Sequence, residues 1–575
     1  MTRIARATLG RGEKARLWSL ALARLIRRQA LIEAYGLPGY GLTLRSKVSG
    51  FVAAPRDFRP VNDAMGRSIL AGRFQLAGSV LDIQPPNDPW NRPSPTRSFA
   101  VSLHRFDWLA SVMASGERGA REALRLTLGW EAVFGRWTPF AWGPEVLARR
   151  VFNLACSARR MAAVASEDDR ERLARTLSAQ ARQLLRPPTH RATRAVAITA
   201  AVVAGCALGG RAGERLIARG LRKLGPALDD SVLPDGVHRS RSPEAGLELL
   251  LDLLTLEDAL LQRDVPLPAS LSAAMDRLTL ALRTLTLADG CLAAFQGGAR
   301  LDAAHVEAAR AHDEAPQAFA ASLADGRFER LDAPLVQVMV DTGAPARGVW
   351  SEGACAQPLA IEVLCGRDRL ITNSGWTPAA PERQALRLSA GGSTLTLGER
   401  SPGGPLTGRL AGILGPRLDG PAVSVEVERR ESEGAVLLEA SHDGWVAGFG
   451  LLHQRRLYLD QKLDELRAED RLRPREGARR DGGPLAYPYA LRFHLEPGVQ
   501  ASVARDRQSI LLRGHSGRGW WFRSDGPDIA IEPSVHVVSG LTRRALQIVV
   551  RGTARADGET RIRWKLSPAG ASESG

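Results

Sequence analysis

The sequence predicts a two-part α+β protein, a helical first half followed by a large antiparallel β-sandwich. Three observations carry this. At 575 residues the chain exceeds what one hydrophobic core supports, so two or three domains are expected. From about residue 98 to 325 the apolar residues recur at helical spacing, and after about 330 the period falls to two. Helices followed by strands, without alternation, exclude a parallel α/β sheet.

The elements follow in order. In the leader, "LWSLALARLIRRQALIEAYG" reads as a basic amphipathic helix, with Trp18, Leu22, Leu25 and Ile26 on one side and Arg16, Arg24, Arg27 and Arg28 around the edges. "GRFQLAGSVLDIQ" (72–84) reads as two strands around a turn, and "PPNDPWNRPSP" (85–95) as a connector. "SFAVSLHRFDWLASVMAS" places Leu103, Phe106, Leu109 and Met113 at helical spacing. "PEVLARRVFNLACSARRMAAVA" repeats the pattern at 144–165. Ser166 with the acids after it, and Ser242 followed by Pro243, are helix starts. About nine or ten helices with short loops are expected. Beyond 330, "APLVQVMVDTG", "QPLAIEVL", "STLTLGE", "AVSVEVER", "YALRFHLEP", "QSILLRG", "GWWFRS", "DIAIEP", "LQIVVRG" and "TRIRWKL" alternate or are β-rich, separated by Gly, Asp or Pro turns.

Composition sets limits. Apolar content of 44% and 24% charged residues are globular values. The formal net charge is +16, carried by 78 Lys and Arg against 62 Asp and Glu. Residues 1–60 hold twelve of the cations and three of the acids. Only five cations are lysine: Lys14, Lys47, Lys223, Lys462 and Lys565. Arginine's planar fork suits carboxylates, sulfates and phosphates, so the excess points to an anionic partner, or merely to arginine-biased coding. No apolar run reaches the roughly 20 residues of a membrane span, and arginines interrupt the N-terminal stretch where a secretory signal would be apolar. That stretch suits a helix docked on the protein or on an anionic membrane surface. "GRGWWFR" (517–523) sets aromatics beside arginine but reads better as a packed strand, so no nucleic acid is expected.

The five cysteines, Cys156, Cys206, Cys291, Cys355 and Cys365, form no C-x-x-C pair, so neither a zinc ribbon nor a thioredoxin-like site is supported. "GACAQPLAIEVLCGRDRLITNSG" (353–375) reads as two strands around a Gly-Arg-Asp turn. A Cys355–Cys365 bridge is geometrically conceivable; two separate buried thiols are the alternative.

Local segments resemble the heparinase II/III-like family of polysaccharide lyases. They are "HRFDWL" (104–109), "LPDGVHRSRSPEAGLELLLDLL" (233–254), "VDTG" (340–343), "HDGWVAGFGLLHQRRLYL" (442–459) and "RFHLEP" (492–497). The resemblance spans roughly residues 70–565. It implies an incomplete α/α toroid and an antiparallel sandwich holding substrate between them. We accordingly divide the chain into a basic leader at 1–90, a toroid-like domain at 91–328 and a sandwich at 329–575.

The implied function is cleavage of a uronic-acid glycan by β-elimination. That chemistry needs a group to neutralise the uronate, a base for the adjacent C–H, and an acid for the leaving oxygen. The alternative is a catalytically degenerate glycan-binding protein of the same scaffold, handling envelope polysaccharide. Relatives use Tyr and His for the proton steps. Here the tyrosines are Tyr35, Tyr40, Tyr458, Tyr487 and Tyr489, none in the helical half. That half holds His104, His190, His238, His305 and His312.

The catalytic candidates are His238, Arg241 and Glu244, on a loop before a helix N-terminus, where free N–H groups favour an anion. Arg241 would clamp a carboxylate and His238 act as base or acid; alternatively Ser242-Pro243-Glu244 merely caps the helix, with Arg241 paired to Glu244. The substrate-binding candidates are Trp90, His104 and Arg239. His442 and His453 lie in a hairpin. Relatives place a structural zinc on His, Asp and His in the sandwich, where this chain has Cys355, Asn373 and Gly392. That set offers at most one good ligand, so no metal and no cofactor are expected. The resemblance implies an acidic polysaccharide partner and a periplasmic or envelope location; the lack of a signal makes the cytoplasm the alternative.

Overall fold

The computed structural model describes residues 5–6, 11–84, 86–186, 191–313, 318–378, 381–476, 484–538 and 540–570. His190 lies outside them. Ten α-helices run between Arg97 and Arg310 among the described residues. The anticipated starts are in place. Ser166 accepts from the Asp169 amide at 3.2 Å, and Ser242 from the Ala245 amide at 3.4 Å with Pro243 at the first helical position. The helix Arg194–Ala207 is apolar all round and fully buried from Ala197 onward, as a central helix must be. Its neighbour Gly210–Ser231 approaches so closely that a Cβ on Gly220 would lie 2.3 Å from Val202.

One expected helix is broken. Arg97–Arg105 ends at Phe106, which takes a left-handed φ of 60°, and Leu109–Met113 follows separately. The break places Phe106 and Trp108 in the core, both fully buried. The freed carbonyls of Arg105 and Phe106 accept from the Asn153 amide.

The leader is tied into the helical half. Val52 N–H donates to the Ala207 carbonyl and Gly209 N–H to that of Gly50, each at 2.9 Å. The Ala54 and Arg56 amides donate to Gln262 and Asp258. Strands Arg73–Leu76 and Ser79–Asp82 form the expected hairpin. The N-terminal helix, Arg11–Gly36, packs Leu17 and Ala21 on Leu406, Leu410 and Leu414 of the β half. Trp18, Leu22, Leu25 and Ile26 stay exposed, 48%, 59%, 41% and 63% respectively.

Among the described residues the second half, joined by the N-terminal strand Ala5–Arg6, forms a sandwich of an eleven-stranded and an eight-stranded sheet. The smaller runs 425–432, 435–442, 451–460, 465–474, 560–568, 519–524, 509–513, 500–503. Phe493 of the larger sheet meets Phe522 and Trp564 of the smaller at ring separations of 4.9 and 4.8 Å. Trp520 is fully buried, so "GWWFRS" is a core strand. Strands Ile361–Cys365 and Asp368–Thr372 are buried at every position. One face meets the other sheet, and on the opposite face Leu364, with Met339 of the neighbouring strand Val336–Asp341, joins the helical core. All five cysteines are free.

Candidate functional site

The candidate loop 233–242 lies where the halves meet. Gly236 turns it at φ 87°, and a Cβ there would sit 1.8 Å from the Arg277 carbonyl, so only glycine fits. Asp235 then accepts from the Gly326 amide at 2.6 Å, tying the loop to the β half.

Arg241 follows in a left-handed conformation, φ 62°, and its side chain turns into the junction. It donates to the carbonyls of Gly326, Ala344 and Arg327 at 2.9, 3.1 and 3.2 Å. It pairs with Asp341 at 2.5 Å and lies 4.8 Å over the Phe328 ring. At 6% exposure the fork is committed inward. The carboxylate it holds is that of Asp341, neither Glu244 nor an outside group. Asp341 also accepts from Gln296 at 2.6 Å, and Gln296 accepts from the Cys355 amide at 3.0 Å.

Glu244 accepts from the Ala299 amide at 2.7 Å. Burial pushes its carboxyl up to about 7, against that hydrogen bond, with Glu248 adding to the rise. His238 shares a 2.7 Å hydrogen bond with Ser240 and sits edge-on to Trp350 at 5.6 Å. Burial, then Arg239, lower its pKa to about 4, so the ring is neutral. Arg239 donates to the carbonyls of Asp230 and Asp229. It caps the C-terminus of helix Gly210–Ser231, where a cation is favoured.

Trp90 and His104, two of the substrate-binding candidates, are both buried in the helical core. Trp90 is 4% exposed, and its indole N–H donates to the Leu126 carbonyl at 2.9 Å. His104 Nδ1 accepts from Trp130 at 3.1 Å within a cage of Trp90, Phe134 and Phe140. Burial and Arg150 depress its pKa to about 4.

Further along the Glu244 helix lies a charge cluster the sequence did not reveal. Arg59 of the leader pairs with Asp57, Glu248 and Asp252 at 3.0, 2.8 and 2.7 Å. Arg149 pairs with Asp252 at 2.7 Å. Burial opposes charge on Arg59, but the three carboxylates outweigh it and hold the guanidinium ionised. Three carboxylates thus surround two guanidiniums, a poor welcome for a uronate.

At the zinc position of the resembled family, the residues satisfy one another. Asn373 accepts from the Ser393 amide at 2.9 Å and donates to the Ala294 carbonyl at 3.3 Å. Gln357 fills the space a side chain at Gly392 would need, its nearest carbon 2.9 Å from a built Cβ. Cys355 packs with Trp376, Leu386 and Val537, and burial raises its thiol to about 11. Among the described residues no three His, Cys, Asp or Glu are placed to hold a metal.

His442 and His453 belong to a different network, wholly inside the sandwich. His442 Nδ1 accepts from the Gly444 amide, so its Nε2 donates to His453 Nδ1 at 3.0 Å. His453 Nε2 in turn donates to Asp470 at 2.7 Å. Arg455 and Trp564 complete the carboxylate's shell, each at 2.9 Å.

The junction also holds residues that sequence reading missed. Arg369 pairs with Glu362 at 2.8 Å and with Asp289 at 3.0 Å. Arg300 pairs with Glu496 at 2.5 Å. Several of the missed residues sat inside quoted segments: Asp341 in "VDTG", Glu496 in "RFHLEP", Glu362 and Arg369 in the 353–375 stretch, and Glu248 and Asp252 in the 233–254 segment.

Comparison with known proteins gives three findings. Residues 315–565 match the model of the heparinase II/III-like C-terminal domain. The chain is 46% identical over 572 residues, 98% of both chains, to FtsZ-localized protein C of Caulobacter vibrioides. Its fold is similar to that of heparinase III, with TM-score 0.67, 12% identity, and 94% and 89% of the two chains covered. It is likewise similar to heparan sulfate lyase HepC from Pedobacter heparinus, with TM-score 0.55, 15% identity and coverage of 94% and 88%.

Proposed function

From the premise that the chain belongs to the heparinase II/III-like family, we propose that it uses the lyase scaffold without lyase chemistry, as a component of the cell-division apparatus that associates with FtsZ. The observation that carries this is the 46% identity, end to end, with FtsZ-localized protein C. The site chemistry supports it. No tyrosine occurs between residues 41 and 457, a span that contains the whole helical half. Arg241 is spent on Asp341, and the nearby charge cluster is rich in carboxylate. The periplasmic location implied by resemblance to secreted lyases gives way, in this reading, to the compartment of FtsZ.

The helix Arg11–Gly36 would meet an anionic membrane surface. Its four exposed apolar residues lie beside the strip that packs on the β half, with arginines at the edges. Each basic residue near such a surface contributes about 1 kcal/mol.

The test is recovery of purified FtsZ on the immobilised protein, run beside a lyase assay. In that assay a panel of uronic-acid polysaccharides is followed by the ultraviolet absorbance of the unsaturated product. FtsZ recovery without product is expected. Product formation without FtsZ recovery overturns the reading and restores a lyase. One observation favours that second reading: Glu244, with a pKa of about 7, is a carboxyl suited to proton transfer near neutrality.

A further inference from the structure

The helix Gly210–Ser231 carries Arg211, Arg215, Arg219, Arg222 and Lys223, all exposed. Spacings of three and four residues place them on one face, opposite the buried Leu216, Ile217, Gly220 and Leu224. Among the described residues none of the five has a carboxylate partner; Glu214 on the same helix is taken by Arg263. The neighbouring helix Glu167–Leu184 and the residues after it bring Arg182 and Arg186 alongside. Burial, with Arg186, Arg215 and Arg219 close by, lowers the Arg182 pKa. Burial and Arg219, Arg194 and Arg222 do the same for Lys223. Cations are therefore held together here at an electrostatic cost, on the outer face of the helix that leads into the junction loop.

We propose that this stripe is a docking surface for an extended acidic segment of a partner protein. The proposal rests on the FtsZ-associated reading and names the surface that would serve it. Successive cations rise about 6 Å along the helix axis for every four residues. An extended chain presents same-side residues every ~6.6–6.8 Å, so alternate carboxylates meet successive guanidiniums in register. Two other anionic partners fit less well. The exposed residues of this face are Arg211, Arg215, Ala218, Arg219, Arg222, Lys223 and Pro226, with one acid, Asp229, at its C-terminal end. None is an aromatic for stacking bases, and none is a large apolar side chain for entering a membrane.

The experiment uses the full chain, a fluorescent 20-residue polyglutamate peptide, a single-stranded oligonucleotide of equal charge, and purified FtsZ. The peptide should bind more tightly than the oligonucleotide. The triple variant R215E/R219E/R222E should weaken peptide binding at least about tenfold and lower FtsZ recovery with it. A matched variant, R505E/R543E/R544E, reverses three exposed arginines of the β half and should leave both unchanged. The proposal falls if the matched variant weakens peptide binding equally, since net charge alone would then explain it. It falls if the oligonucleotide binds more tightly, or if the stripe variant loses the peptide yet recovers FtsZ in full; that last result leaves the FtsZ reading standing. Peptide binding to the stripe with no FtsZ recovered by the parent protein sinks the FtsZ reading and supports the surface.

Discussion

Replacing Arg241 by alanine should destabilise the protein rather than its affinity for any glycan. The substitution removes a guanidinium that serves three carbonyls and Asp341. It leaves that carboxylate, 1% exposed, with Gln296 and the Gly343 amide as its remaining partners. Breaking a buried ion pair by deleting one partner costs about 3–5 kcal/mol. An unfolding entropy of roughly 2.1 cal/mol/K per residue over 575 residues is about 1.2 kcal/mol/K. The expected fall in Tm is then about 3–4 °C if the chain melts as one unit. It is about 6–10 °C if a half of roughly 250 residues melts alone. Thermal melting by circular dichroism reads it, with Arg241→Lys as companion. Lysine keeps the charge but not the fork, so an intermediate Tm is expected. An alanine variant that melts within about 1 °C of the parent yet loses retention on heparin-agarose would refute the reasoning, and Arg241 would face an outside carboxylate.

Three further outcomes follow from the same contacts. Glu244 has its folded pKa raised from 4.5 to about 7, so the folded state binds the extra proton and stability falls as pH rises across that window; Glu244→Gln should flatten that fall in a pH series of melts. Asp470 is held well below the usual carboxylate range: burial opposes ionisation, but Arg455 and His453 outweigh it. Its contribution is present above the unfolded carboxylate pKa and lost as pH falls through the folded one; Asp470→Ala should cost about 3–5 kcal/mol at neutral pH by stranding Arg455, read by urea denaturation. Removing residues 1–34 should abolish co-sedimentation with anionic vesicles while moving Tm little; unchanged sedimentation with a collapsed Tm would make the helix a structural strap on Leu406, Leu410 and Leu414.

The fold was legible where local chemistry decides it. Ser166 and Ser242-Pro243 mark helix starts because the orphan N–H groups there need an acceptor at once. The strands declared themselves by alternation or β-rich composition, as "GWWFRS" illustrates with Trp520 and Phe522 facing inward. What could not be read was long-range. Nothing near Arg241 says that its partner is a hundred residues on, and the closer Glu244 looked the natural mate. Phe106 has no signature of a left-handed residue; the core demands its position and the backbone yields. Trp90 looked exposed in a Pro-rich connector, yet Gly129 lets it lie against a helix, a built Cβ there being 3.1 Å from the indole.

The junction bears directly on the proposal that a lyase-shaped body works here without a lyase's substrate. A cleft that binds uronates must keep cations unpaired and facing outward. Here three junction cations are paired across it: Arg241 of the helical half with Asp341, Arg300 with Glu496, and Arg369 of the β half with Asp289. Buried pairs of this kind add little net stability against apolar replacements, but deleting a partner is costly, so they fix how the halves register. A stripe of cations without carboxylate partners among the described residues lies elsewhere, on the outer face of helix Gly210–Ser231. In the proposed reading, a scaffold with these inner cations paired and a free outer stripe would offer anions a surface rather than a cleft, and a surface can recognise a segment of another macromolecule without having to turn it over.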